Sequence, residues 1–135
     1  MHIYCIHQDL VEATWTSVEK YLADGIAEYD AEYDIHQIKS LLVSGTWSLF
    51  AAIDGNNKVH GASAVSFISY PNAYVAFICS IGGKMIVNKE LVRQFKDLLK
   101  SYGADRIQGQ VNEKNERLLK RVGFEHKSVV MEMRI

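Results

Sequence analysis

The spacing of apolar residues predicts a helical first third of the chain. Residues 2–7 form a short apolar run that predicts a strand. From Asp9 onward, apolar positions recur at helical spacing until Gly25, so the pattern predicts a helix with Asp9 as its N-cap. The acidic stretch 28–34 predicts a loop, and apolar positions within 35–42 predict a second, shorter helix.

Three apolar runs in the middle of the chain predict consecutive strands. The runs cover 46–53, 59–69 and 73–81. Between the first two lies Asp54-Gly55-Asn56-Asn57, whose Gly and Asn residues tolerate a positive φ and predict a hairpin turn. The third run is apolar almost throughout, which is typical of a strand covered on both faces.

The last third predicts two more strands and two helices. Residues 89–102 have the clearest amphipathic pattern of the chain, with Asn88 placed to cap the helix and Gly103 to end it. Residues 105–111 predict a strand. Asn112 is the N-cap of a helix through Val122, with Leu118, Leu119 and Val122 expected to face inward.

A final strand is predicted over 124–134, so the predicted order is β-α-α-β-β-β-α-β-α-β. Hairpins followed by strand-helix units indicate an α+β fold, a mixed sheet with helices on both faces. The chain has 135 residues and no linker, so we expect a single domain over 1–135.

Composition excludes several protein classes. Apolar residues make up 48% and charged residues 23%, as in a globular soluble protein. Two cysteines are too few for a disulfide scaffold or a four-thiolate zinc site. No apolar run reaches the roughly 20 residues of a transmembrane helix, and the N-terminus lacks the pattern of a signal peptide. The expected location is the cytoplasm.

The net charge of −1 conceals an uneven distribution. Residues 1–60 carry nine acids and three bases, a net charge of −6, whereas residues 61–135 carry seven acids and twelve bases, a net charge of +5. This asymmetry indicates an anionic ligand or an oppositely charged partner. The basic residues fall into two helical clusters, which are Lys89, Arg93, Lys96 and Lys100, and Lys114, Arg117, Lys120 and Arg121. The solvated face of an amphipathic helix is the favoured explanation, and without interleaved aromatic residues the clusters do not indicate a nucleic-acid partner.

Other reactive side chains predict no separate site. Cys5 and His7 would share one strand face while His2 points to the other, so no metal site is expected. Cys79 is predicted to be a small core residue, and the two tryptophans are predicted to be buried (Trp15 and Trp47). Two tyrosines in the acidic loop are predicted to lie on an exposed interface (Tyr29 and Tyr33).

The C-terminal third resembles a known enzyme family. Residues 112–124, NEKNERLLKRVGF, resemble the closing motif of the GCN5-related N-acetyltransferases (GNAT), which transfer an acetyl group from acetyl-CoA to an amine. The resemblance covers 45–135 well and the first 44 residues only in layout. The predicted order of strands and helices also resembles the GNAT fold, although a fold alone does not determine function.

The resemblance also implies a set of cofactor-binding positions. The backbone of Ile78, Cys79 and Ser80 would pair with pantetheine, as the central strand of the family does. Lys84 and the N–H groups around Asn88 would meet the pyrophosphate, and Asn112 would contact pantetheine. The amine substrate would lie against Tyr70, Tyr74 or the acidic first half of the chain.

Two of the family's chemical positions are altered here. The pyrophosphate loop corresponds to 83–88, where Ile86 and Asn88 stand at the family's glycine positions. A shifted register using Gly82-Gly83 and Lys84 would be the way to keep an anion site. Leu119 stands where many members have the tyrosine that protonates the departing thiolate, and a leucine cannot donate a proton. No carboxylate base occurs in 73–81.

These departures favour a GNAT-like domain that has lost acetyl transfer, with no catalytic residue and no bound cofactor. It would act through contacts with another protein or with its own copies, using the acidic N-terminal part and the basic helices, and not with a membrane. By resemblance, it would be a phage accessory or virion component, located in the host cytoplasm or the virion. The alternative is an acetyl-CoA-dependent N-acetyltransferase with a degenerate pyrophosphate loop.

Overall fold

Five strands form one mixed sheet in the computed structural model, which describes residues 1–135. The strands span His2–Ile6 (β1), Ser48–Ile53 (β2), Val59–Tyr70 (β3), Ala73–Gly83 (β4) and Arg106–Gly109 (β5). Their order across the sheet follows the chain. The first four are antiparallel neighbours, and β5 runs parallel to β4. The predicted mixed sheet is confirmed.

Four helices lie between or after the strands. They span Val11–Ala27 (α1), Ile35–Val43 (α2), Lys89–Ser101 (α3) and Glu113–Arg121 (α4). Both predicted asparagine caps are confirmed, since the side chain of Asn88 accepts the Leu91 N–H and that of Asn112 accepts the Asn115 N–H. These caps satisfy backbone donors that a helix start otherwise leaves unpaired.

The start and end of α1 differ from the prediction. A short 3₁₀ turn, Gln8–Leu10, contains Asp9, whose backbone N–H donates to Nδ1 of His7, so Asp9 does not cap the helix. α1 begins at Val11 without a side-chain cap. Gly25 does not interrupt the helix but lies inside it, buried where α1 crosses β4.

The sheet separates two hydrophobic cores, which confirms helices on both faces. Along β2, Leu49 belongs to the cluster beneath α1 and α2, and the next residue, Phe50, belongs to the cluster beneath α3. This alternation is the two-residue period of a strand. Trp15 is buried in the α1 cluster as predicted, and Trp47 is half-buried beside it.

The C-terminal end differs from the prediction. Residues 124–135 form no strand, because no sheet neighbour pairs with them. Phe124 is half-buried, whereas 125–135 are exposed. On α4, Leu119 and Val122 are half-buried, but Leu118 is 58% exposed, so its inward placement is wrong.

None of the helices combines the length and the apolar character needed to cross a bilayer.

Candidate functional site

The candidate site lies where β5 ends beside β4. β4 continues to Gly83, but β5 pairs with it only from Val75 to Ile78. On the other side of β4, the register with β3 shifts after Ala64. Cys79 sits at this irregularity, between the paired residues Ile78 and Ser80. The positions that the resemblance assigned to pantetheine therefore lie at the separation of the two parallel strands.

Two tyrosine hydroxyls occupy the backbone carbonyl of Cys79. The Tyr33 hydroxyl donates to this oxygen at 2.9 Å, and the Tyr29 hydroxyl also donates to it and contacts the Tyr33 hydroxyl. Both side chains are half-buried, so the prediction that they form an exposed interface is wrong. The four-residue spacing of the tyrosines was visible in the sequence, but their partner lies 46 and 50 residues away.

Burial keeps the side chains of Tyr29, Tyr33 and Cys79 protonated. It raises the pKa of both tyrosine hydroxyls, Tyr29 and Tyr33, above the ordinary value. It also raises the pKa of the Cys79 thiol to about 11. All three groups therefore remain neutral at pH 7, and a protonated thiol is a poor nucleophile. The predicted core role of Cys79 agrees with its 2% exposure.

The neighbours of Cys79 have structural partners. Ile78 pairs with Gly109 of β5. The buried Ser80 hydroxyl donates to the Leu22 carbonyl at 2.7 Å, and the Ser80 carbonyl accepts the Ser63 hydroxyl at 2.9 Å. Both hydrogen bonds of Ser80 therefore hold α1 and β3 onto β4.

The loop from β4 to α3 is tied to β3 and α1. The Lys84 N–H donates to the His60 carbonyl at 2.8 Å, and the Met85 side chain is fully buried beneath α3. A Cβ on Gly82 would collide with the Tyr21 carbonyl, and a Cβ on Gly83, where φ is +68°, would collide with the His60 carbonyl. The paired glycines are thus explained by close backbone packing.

Asn112 joins α4 to the acidic loop. Its Nδ2 donates to the Glu28 carbonyl at 2.6 Å, and its Oδ1 accepts the Asn115 N–H at 2.9 Å. Glu28 is the residue before Tyr29, so the same loop contacts both Cys79 and Asn112. Two of the six sequence-predicted site residues are therefore connected through this loop, while Lys84 and Asn88 lie on the separate β4–α3 loop.

As arranged, these residues do not fit pantetheine and pyrophosphate. The Cys79 carbonyl, which would accept a pantetheine N–H, is occupied by tyrosine hydroxyls. The Lys84 N–H donates a hydrogen bond to β3. The Asn88 side chain accepts a hydrogen bond from the Leu91 N–H at the start of α3. These two N–H groups are therefore not available to a phosphate, since an anion at a helix start needs free N–H groups.

A basic groove of about 340 Å³ lies between α3 and the end of α4. Its charged lining residues are Lys89, Arg93, Lys96, Asp97 and Arg121. Arg93 pairs with Glu90 at 2.6 Å and with Asp97 at 2.8 Å, and its hydrogen bonds lower the pKa of Glu90 to about 2. Lys89, Lys96 and Arg121 form no ion pair, so the two basic clusters meet here with unneutralised charge.

An acidic depression of about 590 Å³ lies at the start of α2. Its lining residues are Glu32, Tyr33, Asp34, His36, Gln37, Ser40 and Leu41. Opposite charges thus occupy two separate surfaces of the molecule. No group of three or more His, Cys, Asp or Glu side chains is arranged to hold a metal ion.

Comparison with known proteins finds similarity in structure alone. No protein-family sequence model matches the chain, and no curated protein matches its sequence. A ribosomal-protein-alanine N-acetyltransferase from Brucella melitensis superposes with a TM-score of 0.69 at 11% identity, over 100% of both chains.

Two aminoglycoside acetyltransferases are similar in the same way. One, from an uncultured soil metagenomic sample and solved in complex with sisomicin, has a TM-score of 0.68 at 13% identity, over 98% of this chain and 95% of its own. An aminoglycoside 6′-N-acetyltransferase from Acinetobacter baumannii has a TM-score of 0.62 at 14% identity, over 99% and 97%. The strand order and these superpositions confirm the resemblance noted in the sequence: the chain has the fold of the GCN5-related N-acetyltransferases.

Proposed function

We propose that this chain is a GNAT-fold domain that has lost acetyl transfer and works through protein contacts. One observation carries the proposal, namely the double occupation of the Cys79 carbonyl by the hydroxyls of Tyr29 and Tyr33. A carbonyl that accepts two hydroxyls has no remaining lone pair for an incoming N–H. Pantetheine would have to break a half-buried hydrogen-bond cluster before it could bind.

The β4–α3 loop supports the same proposal. Backbone N–H groups near a helix start bind phosphate only when they are free and close packing allows approach. Here the Lys84 N–H is used by β3, and the buried Met85 holds the loop inward.

The position that would need a proton donor holds an apolar side chain. Leu119 is half-buried near the end of α4 and packs there without any ionisable function. The nearest reactive candidate on β4, the Cys79 thiol, stays protonated because burial raises its pKa to about 11. The position at which the family carries its general acid therefore has no proton donor.

Two oppositely charged surfaces support a role in protein contacts. The acidic depression along 32–41 and the basic groove along α3 and α4 could each meet a surface of opposite charge. Partners of this type attract one another at low salt and separate as salt screens the charges. The proposal includes the phage accessory or virion setting indicated by the size and resemblance of the chain.

Titration calorimetry with CoA and acetyl-CoA tests the loss of cofactor binding. We expect no heat and no thermal shift at millimolar ligand in the unaltered protein. The variant Tyr29→Phe/Tyr33→Phe frees the Cys79 carbonyl, and Tyr70→Phe is its control, because Tyr70 is exposed and forms no hydrogen bond through its hydroxyl. Micromolar binding to the unaltered protein that disappears in Lys84→Glu would overturn the proposal.

An acetyl-CoA-dependent N-acetyltransferase is the second candidate. The unneutralised Lys89, Lys96 and Arg121 of the basic groove favour it, because they could hold the phosphates of a cofactor. The structurally similar proteins are named as acetyltransferases. Release of free CoA from acetyl-CoA with a panel of primary amines distinguishes the two candidates. Amine-dependent turnover supports the enzyme, and its absence together with silent calorimetry supports the non-catalytic domain.

A further inference from the structure

A row of carboxylates runs along the loop between α1 and α2. In residues 28–34 every second residue is acidic, and these residues are Glu28, Asp30, Glu32 and Asp34. All four are exposed, whereas the residues between them are half-buried. None of the four forms an ion pair within the chain. The four side chains therefore form an acidic ridge whose negative charge is not compensated at pH 7.

The inward residues of the loop hold the acidic ridge in place. The hydroxyls of Tyr29 and Tyr33 both donate to the Cys79 carbonyl of β4. At the end of the ridge, the Asp34 side chain accepts the Gln37 N–H at 2.9 Å and thereby caps α2. A surface that is already ordered loses little conformational entropy when it binds a partner.

The basic groove between α3 and the end of α4 has the complementary charge and shape. It is concave, and the charges of Lys89, Lys96 and Arg121 are not paired within the chain. Asp97 also lines the groove, but its carboxylate pairs with Arg93 at 2.8 Å. A ridge of carboxylates that enters the groove therefore meets three cations without breaking an ion pair.

The acidic ridge and the basic groove of one chain lie apart. α1 and α2, which flank the ridge, pack on one face of the sheet. α3 packs on the other face, and Phe124, which follows α4, packs with it. The nine residues of α4 separate Glu28, which contacts Asn112 at the start of the helix, from Arg121 at its end. Nine helical residues are about 13 Å long.

We propose that the acidic ridge of one copy docks into the basic groove of a second copy, head to tail. The inference rests on the proposed function, because it names the partner of the protein contacts proposed there. A second copy is the partner because this chain carries both surfaces, and the net charges of residues 1–60 and 61–135, −6 and +5, nearly cancel. Complementary charge of this kind fixes the orientation of two partners and speeds their encounter.

The placement of the two surfaces determines the form of the assembly. A neighbour seated in the groove leaves the ridge of the same chain free, because the two surfaces lie on opposite faces of the sheet. A contact between two different surfaces that does not close on itself adds copies in a row. A loop of seven residues in a groove makes an interface of the weak class, below about 1,200 Å², so the assembly is reversible.

Light scattering on the full chain at several salt concentrations tests the self-association. We expect the mass to rise with concentration and to exceed that of two chains at low salt. It should return to the mass of one chain at about 1 M salt, where the Debye length is about 3 Å.

Neutral variants identify the two surfaces. Lys96→Gln/Arg121→Gln removes two charges from the groove, and Asp30→Asn/Glu32→Gln removes two from the ridge. Each variant alone should be a monomer. An equimolar mixture should form pairs of chains and nothing larger, because each pair uses the intact ridge of one variant and the intact groove of the other.

Matched controls remove the same charge outside both surfaces. Lys114→Gln/Lys127→Gln is the control for the groove variant, and Asp9→Asn/Glu132→Gln is the control for the ridge variant. All four positions are exposed, so both controls should fold and should assemble as the unaltered protein does. Circular dichroism checks the fold of every variant.

Three results would overturn the inference. They are a monomer at every salt and protein concentration, a mass that stops at two chains in the unaltered protein, and an assembly that persists in either neutral variant alone. The CoA titration separates this failure from that of the proposed function. A monomer that gives no heat with CoA refutes the head-to-tail contact alone, whereas a salt-dependent assembly that binds CoA refutes the loss of acetyl transfer alone.

Discussion

The hydroxyl of Ser80 donates a hydrogen bond of 2.7 Å to the backbone carbonyl of Leu22, and both residues are buried. This bond joins the middle of α1 directly to β4. Three residues further along α1, Gly25 lies against Ser80 and the backbone of Ile81. The backbones of α1 and β4 therefore approach so closely that only a glycine fits at position 25.

Gly25→Ala should destabilise the protein by about 1–3 kcal/mol, the usual range for overpacking. A Cβ at this position would lie 2.7 Å from the Ile81 carbonyl oxygen, so α1 would have to move away from β4. This steric cost opposes the gain of about 1 kcal/mol that alanine offers in a helix. Chemical denaturation measures the difference, with Gly55→Ala as the control, because nothing lies within 4 Å of a Cβ there. Equal stability of the two variants would contradict the close approach.

Removal of both tyrosine hydroxyls should lower the free energy of unfolding by more than the sum of the two single effects. Tyr29→Phe and Tyr33→Phe should each lower the free energy of unfolding by about 0.5–1.5 kcal/mol, because the Cys79 carbonyl keeps the other donor. The double variant leaves that carbonyl without either donor. Its loss in the free energy of unfolding should therefore exceed the sum of the losses in the two single variants. A double-mutant cycle from urea unfolding gives the coupling energy. Strict additivity would mean that the two hydroxyls do not share an acceptor.

Stability should fall at alkaline pH through the same tyrosines. Burial raises their pKa in the folded protein above the unfolded value of about 10. The stabilisation is therefore fully present below pH 10 and is lost as the pH rises through the folded values. Thermal melts from pH 7 to 11 should show a shallower loss in Tyr29→Phe/Tyr33→Phe than in the unaltered chain. The Cys79 thiol titrates in the same window but is common to both proteins. Parallel curves would exclude the tyrosines as the titrating groups.

Asp54 should stabilise the β2–β3 hairpin through both oxygens of its side-chain carboxylate. Oδ1 accepts the N–H groups of Asn56 and Lys58, and Oδ2 lies 2.7 Å from Nε2 of His60. The hydrogen bond from His60, followed by these backbone bonds, lowers the pKa of Asp54 to about 2. Its contribution is therefore present above about pH 4 and is lost as the pH falls through 2.

Two substitutions at Asp54 separate its roles. Asp54→Asn retains an acceptor for the turn and loses the pairing with His60, whereas Asp54→Ala loses both. We expect the alanine variant to have the lower Tm at pH 7, and both variants to lack part of the acid-dependent loss. A Tm for Asp54→Asn as low as that for Asp54→Ala would assign the whole effect to His60.

Local patterns predicted most of the elements because local chemistry determines them. The asparagine caps at Asn88 and Asn112 act within three residues, and the hairpin turn at 54–57 acts within four. In each case, the groups that interact are neighbours in the sequence.

Long-range contacts account for what the sequence did not predict. Glycine can end a helix or permit close packing, and only the position of β4 shows that Gly25 does the second. Tyr29 and Tyr33 were placed on the surface because their acceptor, the Cys79 carbonyl, is distant in the chain. The alternation of the tail is strand-like, but a strand forms only where an edge receives it.

The amide of Gln94 has a consequence for the size of any assembly. It accepts a hydrogen bond from the Ile3 N–H, so this backbone donor at the β1 edge is not available to another strand. A protein whose sheet can be extended on both sides can add copies without limit and grow into a filament. A protein whose sheet is open only beside β5 can pair edge to edge with one other copy, and that pair has no second free edge. Gln94 thus limits edge-to-edge association of the sheet to a pair.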